Sequence, residues 1–102
     1  EDVADIRNSK VVDLIKELVE YSLTVHTIDP HASHDQLFKE YGISLYNKPD
    51  GRYDAIIVSV PHKEYKLYTS DQFENLMRGD KLLFDIKGAF EFNESELSIW
   101  KL

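Results

Sequence analysis

Apolar positions recur at helical spacing in the first fifth of the chain. Val11, Leu14, Ile15 and Leu18 stand at i, i+3, i+4 and i+7, and Val12 and Val19 widen the stripe. Lys10, Asp13, Lys16, Glu17 and Glu20 fill the opposite face. This spacing predicts a helix from Ser9 to Tyr21. Asn8 or Ser9 can cap it, because either side-chain oxygen can accept an orphan backbone N–H. The period then changes to two. Leu23, Val25 and Thr27 alternate with Thr24, His26 and Ile28, which predicts a strand that Asp29-Pro30 ends. Ser33 to Tyr41 reads as a short helix with Leu37, Phe38 and Tyr41 on one side and Gly42 as its stop. Ile43 to Tyr46 reads as a short edge strand, and Asn47 to Gly51 as a turn.

The second half repeats the alternation. Tyr53 to Val60 is the strongest strand signal. Its continuous run Ala55-Ile56-Ile57-Val58 predicts burial on both faces, and Pro61 closes it. Glu64 to Tyr68 reads as a helical turn. Ser70 to Met77 reads as a helix capped by Thr69, Ser70 or Asp71. Arg78-Gly79-Asp80 turns the chain into a buried strand over Lys81 to Ile86, ended by Gly88. Asn93 to Leu97 is a turn or short helix, and Ser98 to Leu102 a last edge strand. Helices and strands thus alternate, which predicts an α/β layered fold with right-handed crossovers. A doubly wound sheet normally opens on a strand, whereas this pattern opens on a loop and a helix. The expectation is a sheet without its first, central strand. Such a gap leaves unpaired edges, so it predicts dimerisation that fills it or a reordered sheet.

Length and composition narrow the class. At 102 residues, with 42% apolar and 30% charged positions, the chain suits one soluble globular domain. No apolar run approaches the length of a transmembrane helix. The opening Glu-Asp-Val-Ala-Asp is not a signal peptide and lacks a starting Met, which suggests a chain processed or cut from something longer. Twelve basic against 19 acidic residues give a net charge of −7. That balance opposes binding to nucleic acid and to an anionic membrane surface. A small anionic ligand stays possible, because one local cluster of donors can hold it. The absence of cysteine excludes disulfides, zinc thiolates and a cysteine nucleophile from this chain, and fits a cytoplasmic location.

Few residues carry a chemical signal. His31 and His34 lie near Asp29 and Asp35, but the spacing is loose and no third His or Cys supports a metal site. Asp29 ends a predicted strand, where an acidic residue can bind a ribose. The glycine-rich loop that should precede it is missing, so turn capping is the favoured role. His62 follows a strand at its carboxyl end, where ligands bind in parallel sheets, yet a lone His there is more often structural or solvated. No carboxylate pair, Ser/His/Asp pattern or phosphate loop is present, and no residue is assigned a catalytic role. Two positions are better candidates. Arg7, in Asp5-Ile6-Arg7-Asn8-Ser9, precedes a helix and can fork onto a phosphate, or else pair with Asp5 to brace the loop. Lys87, in Phe84-Asp85-Ile86-Lys87-Gly88, stands just past a buried strand, with Gly88 allowing close passage of the backbone. It can hold a phosphate or sugar oxygen, or simply be solvated.

Taken together, these segments resemble the C-terminal domain of the UDP-glucose/GDP-mannose dehydrogenase family. That family reads Phe-Lys-Glu-x-x-x-Asp-x-Arg-x-Ser before a helix. The chain begins at Glu1 and keeps Asp5, Arg7 and Ser9 in register. Val11-Val12-Asp13-Leu14-Ile15 with Glu17-Leu18, Asp29-Pro30, Tyr53-Asp54-Ala55-Ile56-Ile57, His62-Lys63-Glu64-Tyr65, Phe84-Asp85-Ile86-Lys87-Gly88 and Trp100-Lys101-Leu102 follow the same pattern. The Asp-Ile-Arg-Asn-Ser and Asp-Ile-Lys-Gly forms look most like the branch that oxidises UDP-N-acetylhexosamines for surface polysaccharides.

The resemblance implies a Rossmann-like three-layer sandwich with a mainly parallel sheet. It also implies an NAD-dependent oxidation of a sugar C6 alcohol to the carboxylate. The catalytic Cys and the main NAD-binding domain would lie outside this chain, so the chain alone is expected to be inactive. Arg7 matches the family arginine that reaches NAD. Lys87 matches the basic residue that contacts the nucleotide-sugar. A homodimer or higher oligomer is expected. The family's Phe-Lys, which in that pattern lies immediately before the position of Glu1 and lines the UDP site, is not part of the sequence given. A different class remains open beside this one, a non-catalytic α/β module that binds a protein partner. It predicts an exposed apolar patch and no response to nucleotide.

Overall fold

A computed structural model describes residues 10–59, 62–93 and 95–101. The described residues divide between Asp50 and Gly51 into two compact units.

In the first unit, α1 spans Val11–Glu20 and α2 spans His34–Tyr41. The proposed caps Asn8 and Ser9 lie outside the described residues. Val12 and Ile15 of α1 are buried with Leu37 of α2 and Ile43, and Val11, Val25, Ala32, Tyr41 and Leu45 pack against them. The apolar stripe read from the sequence is therefore the inward face of α1 from Val11 to Leu18, whereas Val19 is 54% exposed. The ends of α2 are built as predicted. The Ser33 hydroxyl accepts the Gln36 N–H at 3.3 Å, and Gly42 closes the helix at φ +71. Phe38 departs from the expectation. It is 60% exposed, because the core of this unit takes Leu37 and leaves the next position outside. The strands expected over Leu23–Ile28 and Ile43–Tyr46 reduce to one parallel bridge between Thr27 and Leu45. The Tyr46 N–H donates to the Thr27 carbonyl at 2.8 Å, and the rings of His26 and Tyr46 stack beside it at 4.2 Å.

The second unit holds the sheet. It contains β1 (Tyr53–Val58), α3 (Lys63–Lys66), α4 (Ser70–Asn75), β2 (Met77–Asp85) and β3 (Ser98–Lys101). The strands are all parallel and lie in the order β1-β2-β3. This is the α/β, mainly parallel arrangement that the alternation predicts. β1 ends at Val58, and the closing Pro61 lies outside the described residues.

Register defines the two faces, since successive side chains alternate. Ile56 pairs with Leu83, and Leu83 with Ile99. This face carries the core, in which Val58, Phe73, Met77, Leu83 and Phe90 are buried. The Phe73 and Phe90 rings meet edge to face at 5.2 Å. On the other face, Ile57 pairs with Phe84 and Phe84 with Trp100. Here the expectation of burial on both faces fails for β1. Ala55 is exposed, Ile57 is 38% exposed, and Trp100 across the sheet is 59% exposed. An unbroken apolar run reports hydrophobicity but not which layer covers it.

The predicted turn at Arg78-Gly79-Asp80 survives as a break inside β2. Between the paired positions Tyr53↔Met77 and Ala55↔Leu82, β1 advances two residues and β2 advances five. Gly79 at φ +66 and Lys81 at φ +52 bend the extra residues outward. Arg78 forks onto Asp54 of β1 with contacts of 3.1 and 3.3 Å. Hydrogen bonding to Asp54 and its charge raise the guanidinium pKa above its ordinary value. Lys81 donates to Glu96 at 2.6 Å, and that bond, with the lysine charge, holds the Glu96 carboxyl below its ordinary range. The Arg78–Asp54 pair is exposed on both sides and the Lys81–Glu96 pair on the Glu96 side, so they fix geometry more than they add stability.

α4 opens on a full capping box. The Thr69 hydroxyl accepts the Gln72 N–H at 3.2 Å, and the Gln72 side chain accepts the Thr69 N–H at 2.8 Å. Thr69→Ala is expected to cost about 1 kcal/mol, whereas Thr69→Ser keeps most of the stability. Urea unfolding of the two variants checks this.

Candidate functional site

Ligands of open parallel sheets bind at the carboxyl ends of the strands. In this chain that edge is formed where Val58 pairs with Asp85. The Ile86 N–H donates to the Val58 carbonyl at 3.2 Å, which carries the ladder one residue past β2. The chain then turns sharply. Lys87 stands exposed on the turn, directly after the last paired residues. Among the described residues it has no hydrogen bond or ion pair, so its ammonium faces solvent.

Asp85 organises this turn. It is fully buried, at the end of a strand whose Leu83 belongs to the core. Its Oδ1 accepts the Ala89 N–H and its Oδ2 accepts the Phe90 N–H, both at 2.9 Å. Its carbonyl accepts the Gly88 N–H at 3.2 Å. A carboxylate is tolerated inside a protein only when such donors replace its hydration. Gly88 has φ +66, and a Cβ built there meets nothing within 4 Å. The glycine thus serves the left-handed turn, not the close passage expected from sequence. Sequence reading missed the role of Asp85. The available signal was an acidic residue ending an apolar strand and followed by a glycine three positions later, a pattern of side-chain-capped turns.

The other candidates fall as follows. Arg7 and Asp5 lie outside the described residues. Asp29 is buried, and its Oδ1 accepts the His31 N–H at 2.8 Å, which is the turn-capping role. His31 and His34 join no cluster, since no three His, Cys, Asp or Glu side chains converge among the described residues. His62 is 2% exposed. Its carbonyl accepts the N–H groups of Tyr65 and Lys66, and its ring meets Tyr65 edge-on at 5.8 Å, so it anchors the start of α3. Among the described residues no helix is long and apolar enough to cross a membrane.

The described residues do not fit a dinucleotide. A pyrophosphate needs a glycine-rich turn between a strand and a helix N-terminus. Gly42 ends a helix, Gly51 precedes β1, Gly79 lies inside β2 and Gly88 follows it. The unit instead offers Lys87, on a turn tied down by Asp85, at the ligand-binding edge of a parallel sheet, where Lys101 ends the neighbouring strand. A cation so placed can meet a phosphate or another anionic group at that edge.

Comparison with known proteins agrees in kind. The chain is 36% identical over 100 residues to UDP-N-acetyl-D-glucosamine 6-dehydrogenase of Pseudomonas aeruginosa, covering 97% of this chain and 24% of that protein. It is 34% identical over 105 residues to Protein CapL of Staphylococcus aureus, covering 100% and 24%. It is 33% identical over 101 residues to UDP-N-acetyl-D-mannosamine dehydrogenase of Methanococcus maripaludis, covering 97% and 22%. The chain therefore spans about a quarter of the length of these curated relatives. No solved structure matches it. Residues 1–92 match the family described as UDP-glucose/GDP-mannose dehydrogenase, UDP binding domain. With that match over most of its length, and a parallel α/β sheet that presents a lysine at its carboxyl edge, the chain belongs to the UDP-glucose/GDP-mannose dehydrogenase family.

Proposed function

We propose that residues 1–102 form one UDP-sugar-binding domain of a longer cytoplasmic enzyme. That enzyme oxidises the C6 alcohol of a UDP-N-acetylhexosamine to the uronate with NAD, for surface polysaccharide synthesis. The observation that carries this reading is the family match over residues 1–92, within which Lys87 sits on the Asp85-held turn. Lys87 contacts the nucleotide-sugar. Arg7 reaches the NAD, which is held mainly by residues outside this chain. The enzyme works as a homodimer or a higher oligomer.

A titration of the chain with UDP-N-acetyl-D-glucosamine, followed by backbone amide NMR, tests the binding role. Saturable shifts clustered at Phe84–Gly88 and Asp5–Ser9 are expected. A spectrum unchanged at millimolar nucleotide-sugar, from a chain with dispersed amide signals, favours the protein-interaction module instead. The exposed Ile57 and Trp100 would then be the first place to look for a partner.

A further inference from the structure

We infer that Asp85 is a positioning residue for the nucleotide-sugar site and acts on the ligand only through Lys87. The inference rests on the reading of Lys87 as a contact to that ligand, and it follows from where the main chain is tied. On one side of Lys87, the Ile86 N–H is fixed to the Val58 carbonyl of β1. On the other side, the N–H groups of Gly88, Ala89 and Phe90 all end on Asp85, one on its carbonyl and two on its carboxylate. Phe90 then enters the core against Phe73. Every fixed point around Lys87 is therefore β1, the core or Asp85.

Asp85 itself has no exposed surface, so it cannot touch a ligand at the edge of the sheet. Its charge also has a specific use in this place. The two N–H donors each take a different oxygen, Ala89 on Oδ1 and Phe90 on Oδ2, and a carboxylate supplies an acceptor at both positions. An asparagine keeps the shape but turns an amide N–H₂ toward one of the donors. One anchor of the turn is lost, and the Lys87 backbone gains freedom while the core volume is unchanged.

The test is a double-mutant cycle in the full-length enzyme. Binding of UDP-N-acetyl-D-glucosamine is measured by calorimetry, with thermal unfolding recorded in parallel. Asp85→Asn is expected to weaken binding about tenfold when Lys87 is present, and less than about twofold in a Lys87→Ala background. The loss of thermal stability is expected to be the same in both backgrounds. That combination separates positioning from a general structural role, which would weaken binding equally in the two.

Equal weakening in both backgrounds overturns the inference. So does undiminished binding by Asp85→Asn while Lys87→Ala binds poorly, and in that case the assignment of Lys87 stands. If neither Lys87→Ala nor Asp85→Asn changes affinity, the assignment of Lys87 fails and this inference with it. Gly88→Ala provides a second route should Asp85→Asn unfold. Its methyl meets open space but strains the left-handed turn, and the same dependence on Lys87 is expected.

Discussion

Leu83→Ala is expected to lower the stability of the sheet-containing unit by about 2–5 kcal/mol, the range for removing a fully buried leucine. Leu83 has no exposed surface and occupies the middle of the central strand, paired with Ile56 on one side and Ile99 on the other. It packs in one cluster with Val58, Phe73, Met77 and Phe90. Truncation removes three carbons where neighbours from a helix, two strands and a loop all converge. None of them can close the space without breaking its own packing. Ile57→Ala is the matched control. It also removes three carbons, but from the half-exposed face of β1, and is expected to cost about 1 kcal/mol or less. Urea unfolding with an unchanged slope measures both. Similar midpoints for the two variants would mean that the core has been assigned to the wrong face.

Lys87→Ala is expected to lower kcat/KM for the UDP-sugar by about 10- to 100-fold, since a hydrogen bond from a charged donor contributes about 1.5–3 kcal/mol. Steady-state kinetics of the full-length enzyme with UDP-N-acetyl-D-glucosamine and NAD provide the measurement. A rise in KM at constant kcat places the contact in the ground state and the transition state alike, whereas a fall in kcat places it mainly in the transition state. Thermal stability is expected to be unchanged, because the side chain is exposed and makes no hydrogen bond or ion pair among the described residues. Lys87→Arg keeps the charge but offers a planar fork in place of a point charge, so partial activity is expected. Wild-type values of both constants in Lys87→Ala would falsify the assignment.

The sequence was most legible where one residue type answers one local need. Ser33 and Gly42 bound α2, and Thr69 with Gln72 caps α4, because each satisfies backbone groups within a few positions. The run in β1 and the strand before Lys87 were equally plain, and the turn at Arg78-Gly79-Asp80 persisted as the register break in β2. Legibility failed where the outcome depends on a distant partner. Leu23 to Ile28 has the composition of a strand, yet a ladder needs a neighbour in register, and only Thr27 finds one in Leu45. Ala55 and Ile57 read as buried because β-branched and small apolar residues mark strands, but burial is decided by what packs on each face. At the site, Lys87 was visible as a cation after a buried strand. Asp85 was not, because its importance lies in N–H groups four and five residues away, and a one-dimensional pattern shows no such bonds.

The turn after β2 also separates two properties that proteins usually find hard to vary independently. Its shape is specified by Asp85, Gly88 and Phe90, and position 87 contributes nothing to it beyond a backbone. A substitution at that one position can therefore change the group exposed at the sheet edge while the bonds that hold the turn stay in place. For the protein engineer, position 87 is a place to vary side-chain chemistry on a turn whose fixed points lie at other residues.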